Sequence, residues 1–368
     1  MPKSLLVRAA DNHRGNNFDA IRLAMALLVV WSHSFAIHLG NERTEPVFML
    51  LNGGYKAGQI GVLAFFVISG FLISQSWDRS KTARAFFEKR VRRIYPGYMA
   101  ATAICAFVIA PLFGGSFPNV ARTLGANLLL RNELPVAFPS NPYPGPVNGS
   151  LWSIPFEFWC YVGVAAAGTM LFRRPRALCA LCLVFMLANI GQIIAGTTSG
   201  LGPIGLIFGA PWFWSMLAPS FLLGMIAYSL RDRLPRSRAL LVVLIVMAIA
   251  GCWLGRPIGN MLVAPALAYA VLYAAFSDRL KLHNAARFGD FSYGTYLYAF
   301  PIQQMLQSTT NLSLPTFIVA SLALSLLAGV VSWHLVERRF LFETKRMSTA
   351  HSATGAPPEA APVIPIST

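Results

Sequence analysis

Long apolar stretches, separated by short polar segments, recur from one end of the chain to the other. Ten can be read as membrane-spanning helices: 18–37, 59–77, 95–113, 151–172, 177–195, 212–230, 239–254, 258–276, 291–306 and 314–336. A helix that crosses a bilayer needs about 17–25 residues at ~1.5 Å each. The seventh and ninth stretches are short by that measure. The predicted fold class is therefore all-α, a polytopic membrane bundle of about ten transmembrane helices. An even number puts both termini on one side. Residues 15–343 are expected to form a single membrane domain. Residues 344–368 are expected to be a disordered tail, because the Ser/Ala/Pro/Thr-rich end shows no periodicity. Segment 114–149, rich in Pro, Gly and Asn, is the longest connection on the side opposite the termini and is expected to fold over that mouth.

Composition supports the same picture. Of 368 residues, 55% are hydrophobic and 12% charged, with a mean hydropathy of +0.56. Soluble domains run nearer 45–50% apolar and about 25% charged, so a disordered chain, a nucleic-acid-binding domain and an ordinary cytosolic enzyme are excluded. The formal charge is +16, from 30 Lys and Arg against 14 Asp and Glu. With the N-terminus placed in the cytoplasm, 24 of the 30 cations fall on cytoplasmic segments. Arg43, Lys56, Arg122, Arg131 and Arg256 fall on the other side, and Arg22 lies inside the first span. This asymmetry obeys the positive-inside rule. The charge is a topology signal: the bilayer is the expected partner, nucleic acid is not, and no protein partner is legible.

Two motif-like patterns carry little. Cys179 and Cys182 have CxxC spacing, but no second pair or histidine accompanies them, so all five cysteines read as small apolar residues and no metal site is expected. The run from Gly200 to Gly205 matches G-x-G-x-x-G by letters only. It joins two apolar spans and has no preceding strand.

Ionisable residues inside a membrane are costly and are candidates for function. Arg22 and His33 are eleven residues apart, which places them on one helical face about 16 Å apart along the axis. Asp19, three residues before Arg22, shares that face and can pair with it. The alternative is that Arg22 snorkels to the interface while His33 merely packs between helices. Glu157 follows Pro155, where a distorted helix start frees backbone groups for a ligand; the alternative is an interfacial cap. In the basic segment 78–93, Arg90 and Arg93 are three apart and form a fork suited to a phosphorylated ligand. Such clusters also anchor helices and attract anionic lipid. For His334 and Glu337, at the end of the last span, topology and lipid contact are sufficient explanations.

Together these segments resemble the acyltransferase 3 family of bacterial integral-membrane O-acyltransferases. The resemblance rests on Phe18-Asp-Ala-Ile-Arg22 with His33, on Gly61–Ile73, on Lys89-Arg-Val-Arg-Arg-Ile-Tyr-Pro96, on Ser150-Leu-Trp-Ser-Ile-Pro-Phe-Glu157, and on Phe291–Pro301, in the family's order. The chain departs from the common pattern at Ala299, where many members carry His, near Ala64, where many carry an acidic residue, and in Val336-Glu-Arg-Arg339, which has Arg where Pro is common. The resemblance implies transfer of an acyl group, usually acetyl, from acyl-CoA to a hydroxyl of a carbohydrate, at the bacterial inner membrane with both termini cytoplasmic. Acetyl-CoA is then a donor substrate, and no permanently bound cofactor is expected. Arg90 and Arg93 would dock the CoA phosphates, and the pantetheine arm would pass Arg22 toward His33. His33 would act as general base, while Glu157 would bind the acceptor or orient the base. A transporter of a lipid-linked sugar or proton-coupled solute is the rival class, since buried Arg, His and Glu suit it too. A structural membrane subunit would explain the spans but not the aligned Arg22 and His33.

Overall fold

The structure, a computed structural model, describes residues 16–172, 174–196, 208–277, 279–280 and 282–341. The Gly200–Gly205 run and the predicted tail 344–368 lie outside them. The described residues are mostly helical, and their long helices lie where the apolar stretches do. They are α1 (Phe18–Leu39), α3 (Ala57–Asp78), α4 (Ala83–Leu112), α6 (Ile154–Phe172), α7 (Pro175–Ala195), α8 (Pro211–Ser229), α9 (Arg238–Leu254), α10 (Arg256–Ala275), α11 (Ser292–Thr309) and α12 (Leu314–Leu341). Two short helices, α2 (Pro46–Leu50) and α5 (Val120–Leu128), lie in connections. By length and composition six helices can cross a membrane: α1, α3, α4, α7, α10 and α12.

Local chemistry sets the helix ends. Ser237 caps α9, its Oγ accepting from the Leu240 amide. Buried Glu45 accepts from the amides of Phe48 and Ala57, tying α2 to the start of α3. Asn17 donates to the carbonyls of Ala274 and Ser277, so the start of α1 is fastened to the end of α10. One boundary differs from expectation. The basic segment 78–93 reads as a loop from hydropathy, yet α4 starts at Ala83, capped by Thr82, and carries an ion pair between Glu88 and Arg92 at 2.8 Å. A hydropathy window does not register helical turns built from charged residues, and an i,i+4 pair supports such turns.

The centre of the bundle is α3, whose residues are mostly apolar and 14 of which are buried. It meets α8 at backbone contact. A Cβ on Gly70 would collide with the Phe221 carbonyl oxygen, and one on Gly224 with that of Val67. Small residues permit this approach in membrane bundles. Gly70→Ala is therefore expected to force α3 and α8 apart and destabilise the protein by about 3 kcal/mol, seen as a lower Tm in detergent; an unchanged Tm would contradict this packing. The periphery is apolar and open, with Ile194 of α7 and Leu254 of α9 each over 70% exposed. Such apolar faces suit lipid contact.

Segment 114–149 packs along α11. Asn141 donates to Gln304, and Asn148 donates to the Leu297 carbonyl. A two-residue antiparallel pair, Val136–Ala137 with Gly145–Pro146, braces the segment.

Candidate functional site

A cavity of about 490 Å³ opens between α1, α3, α4, α6 and the start of α11. Four of the five sequence-predicted residues line it: Arg22 from α1, Arg90 and Arg93 from α4, and Glu157 from α6. Spacing anticipated that Arg90 and Arg93 share a face, and both do face the cavity. Lys89 and Asp19 line it as well.

The cations are held unequally. Arg93 donates to Asp290 Oδ2 at 2.5 Å, and the Arg22 guanidinium stands 3.6 Å from the same oxygen. Arg22 also bonds Asp19 at 2.8 Å, the pairing expected from their spacing. Asp290 Oδ1 accepts from the backbone amide and the hydroxyl of Ser292, which locks the first turn of α11. One carboxylate thus gathers guanidinium groups from two helices at the start of a third. Burial alone would raise the Asp290 carboxyl, but Arg93, then Arg22, outweigh it and hold the group well below the usual carboxylate range. Arg90, by contrast, forms no ion pair with a carboxylate among the described residues and lies over the Phe86 ring, 4.7 Å from its centroid. It is the cation better placed to take an incoming anion.

Also on the cavity wall, Glu157 Oε1 accepts from Ser69 Oγ at 2.9 Å and from Tyr161 OH at 2.5 Å. A single turn of 3-10 helix, Leu151–Ser153, precedes the α6 turn that holds Pro155. The carbonyl of Ser150 is taken by Tyr296 OH at 2.6 Å, and the same hydroxyl lies 2.8 Å from Ser153 Oγ. Ser153 and Tyr296 line the cavity as well.

His33 is not among the residues lining the cavity. α1 runs unbroken from Arg22 to His33, so the two stay about 16 Å apart along its axis. The His33 ring packs edge-on against Phe300 at 5.6 Å, and its Nδ1 is buried without a hydrogen-bond partner. A buried polar atom left unpaired is costly, which marks a place where a partner is wanted.

Sequence reading missed Asp290, Ser69 and Tyr161. Tyr161 is four residues after Glu157, a spacing that was available; Asp290 sits in a polar connection that looks like any other. It also misplaced Glu337. Trp333–Glu337 forms a π-helical turn, which turns Glu337 inward to 2% exposure, with Oε1 accepting from Ser332 Oγ. His334 in the same turn is exposed. Lipid contact accounts for His334 but not for Glu337.

The family model described as an acyltransferase domain, acyltransferase 3, matches residues 16–334. The chain belongs to the acyltransferase 3 family. Among curated relatives, the O-acetyl transferase of Shigella phage Sf6 is 29% identical over 340 residues, covering 89% of this chain and 97% of the relative. Nodulation protein 10 of Rhizobium leguminosarum bv. viciae is 28% identical, covering 78% of this chain and 83% of its own length. The exopolysaccharide production protein ExoZ of Rhizobium meliloti is 28% identical, covering 78% and 90% respectively. No solved structure matches the chain. The protein is thus a multi-pass membrane acyltransferase, and family membership sets the transporter reading aside.

Proposed function

We propose that this acyltransferase moves an acetyl group from acetyl-CoA to a hydroxyl of a cell-surface or exported carbohydrate, across ten spans of the bacterial inner membrane with both termini cytoplasmic. The carrying observation is the convergence of Arg22, Arg90, Arg93 and Glu157 on one cavity. Guanidinium groups in a partly enclosed cleft suit phosphates. The cation asymmetry supports a cavity that opens to the cytoplasm, where CoA is found. The O-acetyl transferase and the exopolysaccharide production protein among the relatives support acetyl as the group and a glycan as the acceptor.

In this reading Arg90 takes a phosphate of the donor, while Arg93 and Arg22, fixed by Asp290, supply the field around it. The thioester reaches toward His33. Neutral imidazole removes the proton from the acceptor hydroxyl as its oxygen attacks the thioester carbonyl. The C–S bond breaks, and the CoA sulfur leaves with a proton returned by the imidazolium. Glu157, held by Ser69 and Tyr161, binds or orients the acceptor. In this reading residues 15–343 are the catalytic domain and 344–368 a cytoplasmic tail.

Arg90→Ala is expected to raise the apparent KM for acetyl-CoA about tenfold with a smaller change in kcat, the worth of one charge-assisted hydrogen bond. Steady-state kinetics on purified protein in nanodiscs checks this, with calorimetry for CoA binding. Unchanged KM and unchanged binding would return the basic cluster to a topology role.

A further inference from the structure

The cavity and His33 are separate, and the material between them is specific. Tyr296 lines the cavity, and one turn further along α11 stands Phe300, 4% exposed, with its ring edge-on to His33. The loop from Asn148 to Ser150 is stapled to α11 just before it. Asn148 donates to the Leu297 carbonyl, and Tyr296 donates to that of Ser150. Gly149 in that loop abuts the end of the Phe300 ring: a Cβ there would sit 2.7 Å from Phe300 Cζ, so a larger residue would push the ring aside. The Phe300 ring also meets Tyr143, earlier in the same 114–149 connection, with centroids 6.4 Å apart. A large rigid ring, one helical turn beyond a residue of the cavity wall, is thus packed against an imidazole whose Nδ1 is buried and unpartnered.

We infer that Phe300 is a seal that keeps cavity water from His33 until donor and acceptor are both seated, so that transfer outcompetes hydrolysis. The inference rests on the donor and base assigned above. The reaction it suppresses is balanced without any further reagent. A water oxygen attacks the thioester carbonyl, His33 takes the water proton, the C–S bond breaks, and acetate and CoA thiol are released. An activated base beside a thioester performs this as readily as transfer if water is present, and exclusion of water from closed sites prevents such side reactions. Phe300 contacts the base rather than a substrate, so its role is one of specificity and not of chemistry.

The test is thiol release from acetyl-CoA by purified protein in nanodiscs without acceptor, alongside ester formation in membranes that contain the acceptor. Phe300→Ala is expected to raise acceptor-independent thiol release about tenfold over the wild type and to lower the ester formed per thiol released. Adding His33→Ala should abolish the excess release. Phe300→Leu, which keeps most of the side-chain volume and guards against a misfolded alanine variant, should give a smaller excess in the same direction. Wild-type transfer with no excess release from either variant would overturn the seal alone. Absence of ester formation by the wild type would overturn the donor reading, and the seal with it.

Discussion

Replacing His33 with alanine is expected to lower acyl transfer by about 10²–10⁴-fold, the usual contribution of a positioned general base. The variant should fold. His33 is only partly buried, makes no hydrogen bond through Nδ1, and sits mid-helix, where alanine is favoured. The loss should therefore appear in kcat at normal protein abundance and unchanged Tm, with CoA binding at the other end of α1 intact. A transfer rate within twofold of wild type would remove His33 from the chemistry. The helix would then be left with an unpartnered imidazole that serves only packing against Phe300.

The second large effect is expected at Asp290. In the wild type its carboxylate is shared by Arg93 and Arg22 while it also anchors the first turn of α11. Asp290→Asn keeps the shape and removes the charge, leaving two guanidinium groups facing each other in a partly buried mouth. Breaking such a pair costs about 3 kcal/mol, so Tm should fall and the apparent acetyl-CoA KM should rise about tenfold as Arg22 and Arg93 lose their shared anchor. The pH dependence follows from the lowered carboxyl. A group whose folded pKa is depressed stabilises the fold above its unfolded pKa and loses that contribution as pH falls through the folded value. The difference in Tm between wild type and Asp290→Asn should thus stay constant from about pH 5 upward and narrow only below about pH 4. A difference that changes across neutral pH would assign the effect to another group. Asp290→Glu restores charge and should recover part of the donor affinity.

Much of this was legible in the sequence, and what was not has identifiable causes. Apolar runs locate helices well, because a span must be continuously apolar. They locate polar helix turns poorly, which is why hydropathy alone makes the first turns of α4 look like a loop. Within a helix, spacing is reliable: Asp19 pairs with Arg22, and Arg90 and Arg93 share a face. Between helices, spacing says nothing. Asp290 reaches Arg22 and Arg93 across 268 and 197 positions of chain, and Ser69 reaches Glu157 across 88. Glu337 was misread for a third reason. Its place at the end of the last span suggests lipid contact, and the π turn that carries it inward leaves no mark in hydropathy. The separation of His33 from the cavity combines these cases. The sequence placed His33 and Arg22 on one face, and the packing of Phe300 and Gly149 against His33 came only from the fold.

The central claim is that acetyl leaves CoA and ends on a carbohydrate oxygen. Membranes carrying the protein should be incubated with acetyl-CoA labelled in the acetyl group, and the glycan fraction then isolated and treated with mild alkali. Label on the glycan, released by alkali as acetate and absent with His33→Ala, is the predicted result. Label that never leaves the acetyl-CoA pool, while the wild-type protein is folded and its glycan is present, would contradict the account.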